Sequence, residues 1–274
     1  MKLAICNETF LDWPFDRAAA FAAECGYAGI EIAPFTLATY ATDIPPARRS
    51  EVRRQAEAAG LEVVGLHWLL AKTVGFHLTS PDAEVRRRTA EYFEALVSLC
   101  ADLGGKILVL GSPQQRNLLP GVTLDQATAY AREVIEAFVP ALQRAGVTLA
   151  LEPLGPQETS FLVTADEAVD LAAAIDSPNV RLHLDVKAMA AEAAPIPEVI
   201  RTHGAMLAHF HANDANRLGP GFGQTDFVPI FAALGEVGYD GWVSVEVFDY
   251  SPGPERLARE SIGYLRRAME TSPR

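Results

Sequence analysis

A chain of 274 residues that is 49% hydrophobic and 21% charged has enough apolar material for a large core, which excludes wholesale disorder. Its 23 Lys and Arg against 35 Asp and Glu give a formal charge of -12, which argues against nucleic-acid binding because the general attraction to phosphate is absent. Three cysteines, Cys6, Cys25 and Cys100, make no closely spaced metal pair and read as reduced thiols of a cytoplasmic protein.

The first predicted strand, Leu3–Cys6, runs directly into the polar pair Asn7-Glu8. That apolar run is too short for a signal peptide, and no later stretch approaches the ~20 apolar residues of a membrane span. Seven further strands are predicted at Gly29–Ala33, Glu62–His67, Lys106–Leu110, Thr148–Glu152, Val180–Asp185, Ala205–His211 and Trp242–Val247. Each is short, rich in Val, Ile, Leu and Ala, and lacks strict alternation, the pattern of parallel strands covered on both faces.

Helical periods lie between them. From Pro81 to Leu103, the residues Val85, Tyr92, Phe93, Leu96, Val97, Cys100 and Leu103 recur at three- and four-residue spacings. Ser80-Pro81 predicts the start of that helix and Gly104-Gly105 its end. Gly26, Gly60, Gly146 and Gly238 precede other strands in the same way. Asp125–Arg144, Ala165–Ile175 and Glu255–Met269 read as helices, with shorter ones at Pro197–His203 and Val228–Leu234. Eight βα units without a Gly/Ser-rich linker predict a single (β/α)8 TIM barrel, one domain over residues 1–274. A doubly wound open sheet shares the alternation, but no glycine fingerprint for a dinucleotide follows any strand. Two long connections, residues 67–79 and 111–123, both follow strands, at the end of a barrel where function resides.

The strand ends themselves carry the chemistry. Strand two holds Glu31, strand three ends at His67, strand five at Glu152 and strand six at Asp185; strand seven ends with His209 and His211, and strand eight holds Glu246. Each has an ordinary alternative: a charge where a strand meets a loop for Glu152, a helix cap for Asp185, packing for a histidine. His209 is read as the outer or packing histidine and His211 as the one nearer the mouth. Glu246, between Val245 and Val247, is hard to explain without a function, since burying an unpaired carboxylate is costly. Glu152, Asp185, His211 and Glu246 converging in an apolar-walled cavity would need a counter-charge, and a divalent cation supplies one. Oxygen-rich ligation with one nitrogen suits Mn²⁺ or Mg²⁺ better than Zn²⁺, with Co²⁺ a further candidate.

These residues resemble the sugar isomerase/epimerase branch of the xylose isomerase-like barrels, which includes ketose 3-epimerases. Leu151-Glu152-Pro153-Leu154 with Glu158-Thr159 is similar to the family's fifth-strand motif, Leu184-Asp185 to its sixth, His209-Phe210-His211 with Asn216-Arg217 to its seventh, and Ser244-Val245-Glu246 to its eighth. The resemblance implies that Glu152, Asp185, His211 and Glu246 hold the metal, and that Glu152 and Glu246 exchange a carbon-bound proton of a small carbohydrate from opposite faces. It implies that Glu158 and Arg217 bind the substrate, and that the chain forms a dimer or tetramer. The sequence departs from the ketose epimerases at Ala188, where they place a histidine, and at Gly155, where they place an asparagine. Lys187 is then expected to replace the missing contact, to donate a proton or to bind an anionic group. His67 and Trp68 follow strand three, and Trp68 is expected to stack on a sugar face or to close the barrel top. Glu31 is expected to bind a sugar hydroxyl or to orient another ligand. Lys72 and Arg116 lack the helix-opening glycine cradle of a phosphate site. Three rivals remain at this stage: a lyase or dehydratase working on the same enolate, a non-catalytic sugar-binding barrel or partner subunit, and an abasic-site endonuclease, which the net charge disfavours.

Overall fold

The structure, a computed structural model, describes residues 1–272. In chain order it contains β1 (Lys2–Cys6), α1 (Phe15–Cys25), β2 (Gly29–Ile32), α2 (Pro46–Ala58), β3 (Glu62–Leu66), α3 (Ala83–Leu103), β4 (Ile107–Leu110), α4 (Leu124–Ala145) and β5 (Thr148–Leu151). There follow α5 (Ala165–Ile175), β6 (Val180–Asp185), α6 (Val186–Met189), α7 (Ile196–His203), β7 (Leu207–Ala212), α8 (Phe227–Glu236), β8 (Trp242–Val245) and α9 (Pro254–Thr271). Each strand pairs parallel with the next. β1 pairs with β8, with Ala4 opposite Ser244, so the sheet closes into an eight-stranded barrel. The predicted fold is the observed one.

Side-chain parity along the strands divides the molecule. Leu3, Ile5, Ile30 and Ile32 point outward into the main apolar core, which they share with helix residues such as Phe93 of α3 and Phe138 of α4, stacked at 4.8 Å. Residues of the other parity line the barrel interior, where Cys6, Glu31, His209 and His211 meet. The outer layer holds the fold together, and the inner layer is left for ionisable groups.

The helix ends follow the sequence closely. Gly104 and Gly146 close α3 and α4 at φ 88° and 60°, the left-handed conformation that releases the chain into the next strand. Thr123 and Gln126 form a reciprocal capping box at the start of α4. The start of α3 lies later than Ser80-Pro81 predicts. Ser80 instead accepts a bond from the Asp82 amide, and Asp82 caps the helix through the Glu84 amide at 2.8 Å. β3, β5 and β8 each end one or two residues earlier than predicted, so His67, Glu152 and Glu246 are the first residues of the loops at the mouth. No described helix is long and apolar enough to cross a membrane.

Candidate active site

Each strand end delivers its polar side chain to the same point because the barrel is parallel and nearly in register: Asp185 lies opposite His211, and His211 opposite Ser244, two residues before Glu246. One ligand atom from each of Glu152, Asp185, His211 and Glu246 lies within 4.8 Å of the others, and all four residues are buried. These are the four residues expected to converge.

Three carboxylates this close, away from water, disfavour one another's charge. Burial, then the charges of Glu246 and Asp185, push the Glu152 carboxyl up to about 8. Burial, then Glu246, pushes Asp185 up to about 6. Burial alone would raise Glu246 too, but the charge and hydrogen bond of His211 outweigh it and hold it below its ordinary value. Without a cation the cluster therefore retains protons that free carboxyls would have lost. Its oxygen-rich donor set, burial and mutual repulsion fit a divalent ion.

Beneath this cluster lies a second layer. Glu31 is fully buried and accepts from His209 Nε2 at 2.8 Å and from His211 Nε2 at 3.2 Å. Burial opposes its charge, but the two imidazoles hold the Glu31 carboxyl well below the usual carboxylate range. Nε2 of His211 donates to Glu31 and its Nδ1 faces Glu246 Oε2 at 3.1 Å, so Nδ1 is the nitrogen that would ligate an ion once its proton is lost. Glu31 thus meets His209 and His211, and of its two expected roles, binding a sugar hydroxyl or orienting another ligand, the bond to His211 is the one whose partner is within reach. His209 also differs from expectation. It faces the interior alongside His211, because residues two apart on a strand share a face.

Above the cluster opens a cavity of about 420 Å³ whose lining includes His67, Trp68, Glu152, Glu158, Arg217, Glu246 and Phe248. Trp68 donates its indole N–H to Glu246 Oε1 at 2.7 Å. Lys187 donates to Glu158 Oε2 at 2.5 Å and lies 4.6 Å over the Phe248 ring. Burial disfavours the Lys187 charge, but Asp185 and Glu158 outweigh it and raise its pKa. The cavity lining also includes Lys72, whereas Arg116 is fully buried. Arg116 donates to the backbone carbonyls of Glu152 at 2.6 Å and of Leu110 and Leu162 at 3.3 Å, so it braces the end of β5 instead of meeting a ligand.

Three contributors were not foreseen. Glu8, in the turn after β1, is fully buried and hydrogen-bonded to His67 Nε2 at 2.8 Å. Asn213 donates to Asp185 and accepts from the Lys187 amide, while Asp185 also caps α6 through the Ala188 amide at 2.8 Å. His183 lies in the barrel with Nε2 3.8 Å from Glu152 Oε1. Glu8 and Asn213 lie just past the ends of β1 and β7, and His183 lies within β6, two residues before Asp185.

The profile of the xylose isomerase-like TIM barrels matches residues 19–268. The chain belongs to that family. This xylose isomerase-like barrel is 29% identical over 228 residues to a D-psicose 3-epimerase of Ruminiclostridium cellulolyticum, covering 82% of the chain and 75% of the relative. It is 33% identical over 191 residues to an L-ribulose 3-epimerase of Mesorhizobium japonicum, covering 67% and 62%. A solved D-psicose 3-epimerase, obtained in the presence of D-fructose, superposes with a TM-score of 0.86 at 25% identity over 98% of this chain and 99% of that one. These relatives are sugar epimerase enzymes.

Proposed function

We propose that this protein is a divalent-metal-dependent epimerase of a small ketose. The observation that carries the reading is the clustering of Glu152, Asp185, His211 and Glu246, two of which, Glu152 and Glu246, line a sugar-sized cavity. The similarity to ketose 3-epimerases supports it.

Glu152, Asp185, His211 and Glu246 would hold the ion, Mn²⁺ or Mg²⁺ by their oxygen-rich chemistry. When bound, it would polarise adjacent carbonyl and hydroxyl oxygens of the sugar and so acidify the C–H between them. Glu246, kept ionised by His211, removes that proton as a base, and Glu152, pushed up to about 8 and so able to carry a proton, gives its proton to the other face. The carbon is inverted, Glu246 is left protonated and Glu152 ionised, and exchange with solvent resets both. In the reverse direction the two exchange roles. Arg217 and Glu158 orient the sugar hydroxyls. Lys187 holds Glu158 in place, which accommodates Ala188 where the ketose epimerases carry a histidine.

The test is a screen of ketoses with the Mn²⁺-loaded protein in D₂O. One deuterium at the inverted carbon of an otherwise unchanged sugar is expected. Glu152→Gln and Glu246→Gln should each lose about 10²–10⁴-fold in kcat. An unsaturated product would mean elimination instead, and near-wild-type rates in either variant would remove the two-base mechanism.

A further inference from the structure

Trp68 follows β3 by two residues, and its backbone sits at φ 53°, in the left-handed region that a bulky L-residue occupies only when its surroundings demand it. Three other cavity-lining residues share that conformation: Lys72 at 62°, Ser112 at 44° and Arg217 at 73°. The turn at Trp68 sends its side chain across the mouth from the β3 side to the β8 side. There the ring packs between Phe35, edge-on at 6.0 Å, and Phe248, tilted at 6.2 Å. Fixed between those rings, the indole N–H meets Glu246 Oε1 at 2.7 Å, while the other oxygen, Oε2, faces His211 Nδ1 at 3.1 Å.

A glutamate carboxylate turns easily about its last torsion, which is a soft, broad well. Glu246 therefore needs an external donor to keep one chosen oxygen toward His211. The indole is the donor within reach of Oε1, and aromatic packing limits its own freedom.

We propose that Trp68 is the positioning residue of this site: its indole N–H locks the rotation of the Glu246 carboxylate, leaving Oε2 presented beside His211. This role differs from stacking on a sugar face, since the N–H edge of the ring is committed to Glu246. The proposal rests on the reading of Glu246 as a ligand and base.

Trp68→Phe tests it, because phenylalanine keeps an aromatic ring near Phe35 and Phe248 while removing the N–H together with the second ring of the indole. Calorimetric titration with Mn²⁺, without sugar, should show affinity weakened about 10–100-fold, the usual effect of losing a group that orients a metal ligand. At saturating Mn²⁺, kcat should fall about tenfold or more, with KM for the ketose changed less than about threefold. Wild-type Mn²⁺ affinity would by itself overturn the proposal. So would a raised KM with unchanged kcat, which would assign Trp68 to the sugar. The Mn²⁺ arm decides the matter even if no ketose is turned over, so a failed substrate reading and a failed positioning role remain distinguishable. If Trp68→Phe does not fold, the wild-type protein labelled with ¹⁵N-indole serves. A downfield, slowly exchanging Nε1–H that persists when Mg²⁺ is added supports the bond, and a rapidly exchanging one overturns it.

Discussion

Glu31 is a buried carboxylate held between two imidazoles. Two imidazole N–H groups, from His209 and His211, point at it in a region with no access to water. Replacing it by glutamine keeps the shape but exchanges an anionic acceptor for an amide, one end of which is a donor facing other donors. His211 would then lose the partner that fixes its tautomer. Glu31→Gln is therefore expected to weaken Mn²⁺ binding about 10–100-fold, read by calorimetric titration, and unchanged affinity would show that His211 is oriented by something else. The four converging residues could be read from the sequence because Glu152, Asp185 and His211 each end a predicted strand and Glu246 is next to last in another. Glu8 could not, because its partner His67 lies 59 residues away and only barrel closure brings them together. The inward direction of His209 was legible in principle, since a spacing of two along a strand fixes a common face.

At the scale of elements, strand order and closure were legible because eight apolar runs alternate with helical periods, and glycines mark where helices stop. The loops were not. No local pattern announces that Arg116 turns inward to brace the carbonyl of Glu152, or that Trp68 crosses the mouth. Two glycines show what the strands themselves demand. A Cβ on Gly65 of β3 would lie 2.0 Å from the Ile107 carbonyl oxygen on β4, and backbone there cannot yield without parting the strands. A Cβ on Gly111, just past β4, would lie 2.1 Å from Glu152 Oε2, the end of a flexible side chain. Gly65→Ala should thus cost roughly 1–3 kcal/mol in chemical denaturation, toward the upper end. Gly111→Ala should leave stability nearly intact while depressing turnover by displacing Glu152. Equal losses of stability in the two variants would contradict this division.

For the molecule as a whole, the inner layer of the barrel couples stability to pH, and a bound metal would alter that coupling. Stability changes with pH in proportion to the difference in protons bound by the unfolded and folded states. In the metal-free protein, Glu152 is raised from 4.5 to about 8 and Asp185 from 3.8 to about 6, with burial the largest cause in each. Burial opposes protonation of His211, yet Glu246 and Glu31 outweigh it and place its pKa well above 6.5. All three groups bind more protons folded than unfolded, so the stability they contribute is present in acid and lost as pH rises through their folded values. Glu31 and Glu246 are shifted downward, so their contribution is present above the ordinary carboxylate range and lost only in stronger acid, outside this window. A divalent ion reverses the slope, because its ligands must release their protons to bind it, and binding therefore strengthens as pH rises. His183 and His209, lowered chiefly by burial, act in the opposite sense but in both samples, so between about pH 5 and about pH 8 the expected result is a widening gap between Tm in excess Mn²⁺ and Tm in EDTA. The overall charge of -12 adds the same self-repulsion to both samples and cancels in that difference. A gap that stays constant over this range would mean that the ion does not take the place of those protons.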